Sequence, residues 1–215
     1  GSGMSALLDV LAYNTHYLGF NANMLANEMF LDSASLRSSI VSHAKTLGYV
    51  PTSARAAKAT VDVILNTNDV NATLPAGTVF NTTVNDISYQ FSTIADITKS
   101  NTGNTIPFVG VDIYEGTFIT TRYTVDSSDI DQRFVLTDNR ADTSTLIVKV
   151  QTSSTDSSSN TFTEATDITQ VTAGSNVYFL QEVEAGLFEV YFGDGIIGTA
   201  LSDDNIVILT YVVSN

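Results

Sequence analysis

Residues 7–51 limit how this chain folds more than any other part, because only there do apolar side chains recur at helical spacing over a long segment. Two adjoining stripes run along its first part. One contains Leu7, Leu11, Leu18, Leu25 and Met29, and the other contains Val10, Tyr13, Tyr17, Phe20 and Met24. Together they are wider than the core-facing stripe of an ordinary surface helix. The pattern predicts a helix with packing partners on two sides, of which a following helix covers only one.

The segment divides into two predicted helices, over residues 5–30 and 36–47. Asp32 or Ser33 is expected to cap the second helix at its start. Gly48 is expected to end it in a left-handed conformation, and Pro51 follows as a stop. The short connection between the helices favours a hairpin.

Four asparagines in the first helix are unusual, because asparagine is a poor helix former. They are Asn14, Asn21, Asn23 and Asn27. Either they form a polar face opposite the stripes, or some of them supply hydrogen bonds at a helix–helix contact and fix its register. Both interpretations stay open at the level of sequence.

From residue 60 the apolar pattern changes to a period of two, which is typical of strands. The predicted strands cover residues 60–65, 78–81, 87–92, 106–115, 117–125, 134–137, 146–151, 177–183, 187–192 and 206–213. Many short strands with polar turns predict an α+β protein. In it, an N-terminal helical hairpin precedes a mostly antiparallel β-rich region, either a sandwich or a partly closed barrel.

Charge supports a domain boundary near residue 60. The whole chain has a formal net charge of -14, yet residues 1–60 contain four basic and three acidic groups. We therefore predict a helical hairpin with its connector at 4–59 and a β-rich domain at 60–215. The serine-rich residues 152–160 either divide that domain into two subdomains or form a long hairpin loop.

Composition excludes several functions. The chain has no cysteine for a disulfide or a thiolate metal site, and its acidity argues against binding a nucleic acid backbone. No apolar run reaches the roughly 18 to 20 residues that a membrane-spanning helix needs. We expect no nucleic acid, membrane or small-molecule partner.

The second informative stretch is the turn in which Gly193 and Gly195 flank Asp194. A carboxylate between two glycines fits a metal or anion site, but it fits a structural turn with an Asx hydrogen bond better. The Gly-x-Gly-x-x-Gly spacing that continues to Gly198 lacks the surrounding βαβ pattern of a dinucleotide site.

Other candidate groups also lack a catalytic arrangement. His16 and His43 lie on different predicted helices without a metal-binding pattern. Glu182 and Glu184 are two apart on a predicted strand and so share a face, but no cleft is evident between them. The acidic clusters at 126–131 and 203–204 lack the full ligand pattern of a calcium loop. We expect a protein that is not an enzyme and has no cofactor or metal.

Three stretches together carry a family resemblance: residues 13–51, the LPAGTVF segment at 74–80, and YFGDGIIG at 191–198. They resemble the baseplate wedge proteins of T-even-like contractile-tailed phages, within the wider baseplate-J-like family. The resemblance implies a structural virion protein whose relatives self-associate into a ring around the tail hub, and the ring rearranges when sheath contraction is triggered. It also implies an internal fragment of a longer wedge protein, and it brings no catalytic residue with it.

The leading hypothesis is therefore a structural subunit of the tail baseplate, assembled in the host cytoplasm with copies of itself and other wedge proteins. The candidate assembly surface consists of Leu11, Leu18, Phe20, Met24 and Leu25. The alternative is a glycan- or receptor-binding β-module. It would use the aromatic side chains of Tyr89, Phe91, Tyr114, Tyr123, Tyr178 and Tyr191, although alternate aromatics on a sheet are more often core.

Overall fold

The computed structural model describes residues 3–49 and 51–215. The chain packs as two compact units, one that ends at Pro51 and one from Thr52 to Asn215. The first is helical and the second consists of strands, which confirms the predicted fold class. The predicted domain boundaries at 59/60 and 152–160 stay predictions.

The helical unit contains α1 (Gly3–Glu28) and α2 (Arg37–Thr46). None of the 26 residues of α1 is buried, and in α2 only Val41 is buried. The described part of this unit therefore has almost no hydrophobic core of its own, although its sequence is rich in large apolar side chains.

The turn between the helices is closed by a side chain from α1. The carboxylate of Glu28 accepts hydrogen bonds from the backbone N–H of Ser35 (3.0 Å) and from that of Leu36 (3.2 Å to Oε2). The predicted cap by Asp32 or Ser33 is wrong, because α2 begins later, after Leu36. Gly48 has the predicted left-handed backbone, with a φ of 76°.

The β-unit contains thirteen strands among the described residues. They are β1 (Lys58–Asn66), β2 (Asn71–Leu74), β3 (Val79–Val84), β4 (Ile87–Ser92), β5 (Ile97–Ser100), β6 (Thr105–Glu115), β7 (Thr117–Thr124), β8 (Phe134–Val135), β9 (Ala141–Gln151), β10 (Ser159–Glu164), β11 (Val177–Glu182), β12 (Phe188–Phe192) and β13 (Ile206–Val213).

The first six strands form a half-barrel. Its main sheet has the order β1-β6-β4-β3, and β2 pairs with β5 in a separate two-stranded sheet. Its core is centred on four buried side chains of β6, which are Ile106, Phe108, Val111 and Ile113. β1 and β3 lie at the two edges of this sheet.

The remaining strands form a nearly closed barrel with the order β7-β13-β9-β10-β11-β12-β8. All pairs in it are antiparallel except β10 with β11. The end strands meet where the Tyr123 hydroxyl on β7 donates to the Val135 carbonyl on β8 (2.6 Å). The ring of Tyr123 also packs edge-on against Phe134, with centroids 5.7 Å apart. This contact brings the two ends of the sheet together around one apolar core.

The serine-rich loop predicted at 152–160 connects paired strands. Residues 152–158 join β9 to β10, which pair antiparallel, so the serine-rich segment lies within a hairpin. The predicted strand list lacks β2, β5 and β10.

Candidate assembly surface

The apolar side chains of α1 are the most prominent exposed feature of the described helical unit. The five residues of the candidate assembly surface, Leu11, Leu18, Phe20, Met24 and Leu25, are each between 44% and 69% exposed. Soluble proteins rarely expose contiguous apolar area of this extent unless it contacts a partner. The surface thus lies on an accessible helix, and its role in assembly stays a prediction.

The exposed side chains follow the geometry of a regular helix. Leu11, Leu18 and Leu25 are seven residues apart, so they line up along α1 over about 21 Å at 1.5 Å per residue. Phe20 and Met24 lie one turn apart on the second stripe. By helix geometry the two stripes together cover about half of the circumference of α1, and the opposite half carries mostly small and polar residues.

Charge is scarce on α1. Between Gly3 and Glu28 the helix contains only Asp9 and Glu28 as charged residues. The carboxylate of Glu28 is occupied by the turn described above, and the Ser35 hydroxyl and backbone amide lower its pKa to about 2. A solvated helix of this length ordinarily carries charges along its outer face. Their absence indicates a surface suited to contact with another apolar surface.

The turn at Gly193 to Gly195 uses its carboxylate internally. Asp194 Oδ1 accepts from the backbone N–H groups of Ile196 (2.9 Å) and Ile197 (3.0 Å). These bonds lower the pKa of Asp194. A Cβ on Gly193 would collide with the carbonyl oxygen of Ile197, and Gly195 has a φ of 87°. The geometry explains both glycines by backbone conformation alone.

The other candidate groups are dispersed. β11 ends at Glu182, which is buried, whereas Glu184 is exposed in a short 3₁₀ turn. The expectation that the two share a strand face is therefore wrong. Asp126 accepts from the backbone N–H of Ser128 (2.9 Å), as in an ordinary Asx turn. His43 Nε2 lies 2.9 Å from the carbonyl oxygen of Glu28.

No group of three or more metal-ligating side chains occurs in the part of the chain that the structure describes. Across the same residues, no helix is long and apolar enough to cross a membrane.

The aromatic side chains considered for glycan binding do not form an exposed row. Tyr178 is buried, Tyr191 is exposed, and the other four are half-buried. The ring of Tyr191 stacks on Phe179 with centroids 5.2 Å apart. Within the described residues, the exposed row of rings that would favour the alternative module is therefore not present.

Two features escaped the sequence analysis. One is a bidentate ion pair in the barrel, in which Arg133 Nε and Nη2 each lie 2.9 Å from an oxygen of Glu189. The other is an apolar groove of about 590 Å³ on the half-barrel, bordered by β1 and β3. The consecutive apolar residues Val63, Ile64 and Leu65 are a sequence signal for an exposed apolar surface at the groove. A strand that is apolar on both faces needs a packing partner on each, and a face without a partner is exposed.

Comparison with known proteins shows which proteins this chain, with its exposed apolar helix and acidic β-unit, is similar to. Residues 1–49 match the family described as "Baseplate wedge protein gp6-like, helical domain". Over 212 residues, the chain is 30% identical to "Baseplate wedge protein gp6" of Enterobacteria phage T4, an alignment that covers 94% of this chain and 30% of the relative.

The predicted resemblance to baseplate wedge proteins is thus confirmed. The chain spans less than a third of the length of this curated relative. The likeness supports a structural role in a phage tail baseplate.

Proposed function

We propose that this chain is a structural segment of a tail baseplate wedge, which associates through the α1 surface with copies of itself and with other wedge proteins. In this proposal the chain is assembled in the host cytoplasm and is located in the tail baseplate of the virion. The likeness to a wedge protein supports the setting, and the helical unit supports the mode of association.

The observation that carries the proposal is that α1 has no buried residue although two apolar stripes run along it. Burying a leucine side chain stabilises by about 1.5 to 3 kcal/mol. Leu11, Leu18 and Leu25 together therefore contribute up to about 4.5 to 9 kcal/mol from each helix, which is comparable with the entropy cost of association. A partner helix laid along these three residues would bury the stripe that α2 leaves exposed.

Asn14 and Asn21 support a defined register in that contact. They are seven residues apart and, by helix geometry, lie between the two apolar stripes. Both side chains are exposed. An asparagine within an apolar helix contact selects the register in which its amide meets a polar partner, at some cost in stability. This favours the second of the two interpretations of the asparagines.

The finer part of the proposal concerns the ring around the tail hub. Wedge segments contribute to the ring by self-association, and the ring rearranges when contraction is triggered. In such a rearrangement, rigid units keep their folds while their mutual contacts change. The two separate cores of the β-unit suit this role, because each is a preformed packing unit.

Analytical ultracentrifugation of the full chain tests the association surface. The wild-type chain is expected to sediment above its monomer mass of 23.0 kDa at tens of micromolar. The double variant Leu11→Glu/Leu25→Glu should weaken association by about a hundredfold or more, since two leucines are lost from the contact.

The double variant Ala12→Glu/Ala26→Glu is the matched control. It adds the same two charges one position further along α1, on the side of the helix opposite the two stripes. We expect it to associate like the wild-type chain. A strict monomer at every concentration, or equal loss in both variants, would contradict self-association through this surface.

A further inference from the structure

The half-barrel has a second unpartnered surface, separate from α1. An apolar groove of about 590 Å³ is bordered by β1 on one side and by β3 and β4 on the other. Val61 and Val63 line it from β1, Phe80 from β3 and Phe91 from β4, above Ile113 of β6. Its lining is therefore mostly hydrophobic, and the inference from it does not depend on the proposed role of α1.

Both strands at the border of the groove are sheet edges. In the order β1-β6-β4-β3, β1 pairs only with β6, and β3 pairs only with β4, within the described residues. An edge strand presents unpaired N–H and C=O groups, which form a template for another strand. The groove thus combines main-chain hydrogen-bonding groups with an apolar floor.

The two edges differ in the protection that proteins ordinarily give to exposed strands. Charged residues, prolines and very short strands usually prevent edge pairing. β3 spans six residues and contains neither a charge nor a proline. On β1, Ile64 is 67% exposed beside the groove. β1 carries Lys58, which pairs with Asp112, and Asp62, so a strand that pairs with β1 must meet the Asp62 carboxylate.

The charge of the half-barrel indicates what kind of partner strand it would attract. Residues 58–116 contain six acidic and two basic side chains. One of the two basic side chains, Lys58, already pairs with Asp112 (2.8 Å). Asp62 lies in the lining of the groove, where its Oδ1 accepts from the N–H of Gly110 (2.8 Å). No lysine or arginine of the described chain pairs with it. A second copy would bring further acidic groups to this groove, whereas a basic strand would be attracted.

We propose that the groove binds an extended segment of another protein, which adds to the free edge of β1. Its alternate apolar side chains pack on Phe80 and Phe91, and a lysine or arginine faces Asp62. This is strand addition, in which main-chain hydrogen bonds provide affinity and the pockets for alternate side chains provide specificity.

A synthetic ten-residue peptide of alternating valine and threonine, with one central lysine, is the probe. Titration of the full chain with the fluorescently labelled peptide is expected to give saturable binding. Ile64→Asp should weaken the binding at least tenfold. Val109→Asp is the matched control, because Val109 is equally exposed on the same half-barrel (69%) but does not line the groove. It should leave the affinity within twofold.

The charge contact is tested separately with Asp62→Asn, which keeps an oxygen that can accept from Gly110. This variant should bind the lysine peptide about fivefold more weakly and should bind a peptide with norleucine in place of the lysine unchanged. Hydrogen exchange should slow at β1 when the peptide binds. The proposal would be overturned if the peptide does not bind, or if Ile64→Asp leaves its affinity unchanged.

A second copy as the occupant is the competing outcome. In the background of Leu11→Glu/Leu25→Glu, a dimer that dissociates on introducing Ile64→Asp would place another copy of this chain in the groove. That result would overturn the proposal of a basic partner strand while leaving the α1 surface untouched.

Discussion

Glu28, the last residue of α1, and Ser35, just before α2, are joined by two hydrogen bonds to one carboxylate oxygen. The Ser35 backbone N–H donates to Glu28 Oε1 at 3.0 Å, and its hydroxyl donates at 2.7 Å. These contacts lower the pKa of Glu28 from 4.5 to about 2. A carboxylate from one helix therefore satisfies donors at the start of the next, in place of a local cap.

This contact makes the turn sensitive to acid. Because the pKa of Glu28 is depressed in the folded state, its stabilising contribution is complete above about pH 4.5 and is lost as the pH falls towards 2. Carbon-detected NMR titration of the Glu28 carboxyl should give a midpoint near 2, and Ser35→Ala should move the midpoint towards 4.5. An unchanged midpoint in Ser35→Ala would refute the assignment. Thr46→Ala, at the far end of α2, is the control.

Breaking the barrel ion pair should destabilise the β-unit. Glu189 is buried and interacts with Arg133 and with Gln181 Nε2 (3.0 Å), whereas the Arg133 side chain is about half exposed. Arg133→Met should lower the free energy of unfolding because it leaves the buried Glu189 carboxylate without its arginine, although solvent screening at the arginine limits the loss. Arg140→Met, which removes the more exposed pair with Asp138 (3.2 Å), should lower the free energy of unfolding less than Arg133→Met does. Urea denaturation measures both, and equal losses would contradict the difference in burial.

The seam of the barrel should depend on one hydroxyl. Tyr123→Phe keeps the ring packing on Phe134 but removes the bond to the Val135 carbonyl, so the free energy of unfolding should fall by about 1 kcal/mol. Hydrogen exchange should also accelerate at Phe134 and Val135. Tyr191→Phe, on an exposed ring, is the control and should change neither quantity. Equal exchange at β8 in the wild-type chain and Tyr123→Phe would rule out this role for the seam bond.

Gly193 should tolerate no side chain. Gly193→Ala places a Cβ against the backbone of Ile197 and Gly198, so the turn must shift, and a loss above about 2 kcal/mol is expected. Gly174→Ala is the control, because a Cβ there meets no atom within 4 Å. Thermal unfolding compares the two. A stable Gly193→Ala variant would mean that the turn adopts another conformation.

Most of the fold was predictable because its longest strands bury many side chains. The predicted strands at 106–115 and 206–213 agree with β6 and β13, in which buried apolar residues recur along the strand. The missed strands are shorter or more polar. In β10, for example, only Phe162 is buried, so the period of two has too few repeats to be recognised.

The helical surface and the groove differ in how far sequence reveals them. The breadth of the stripes on α1 follows from local spacing, so its exposure on two sides could be predicted. The capping by Glu28 could not be predicted from residues 32 and 33, because it depends on how the chain turns after α1. The groove depends on which strands lie at sheet edges. That is decided by the pairing of Val61 with Val111, fifty residues away.

The absence of buried residues on α1 has a consequence for the lifetime of the free chain. A helix that gains little from tertiary packing opens readily, even when its sequence favours helical structure. Open backbone is what proteases cleave, so the free chain should be cut first within α1. Under the proposed assembly, docking removes this cleavage site. Resistance of α1 to a protease would then report directly, in a crude lysate, how much of the protein has entered its complex.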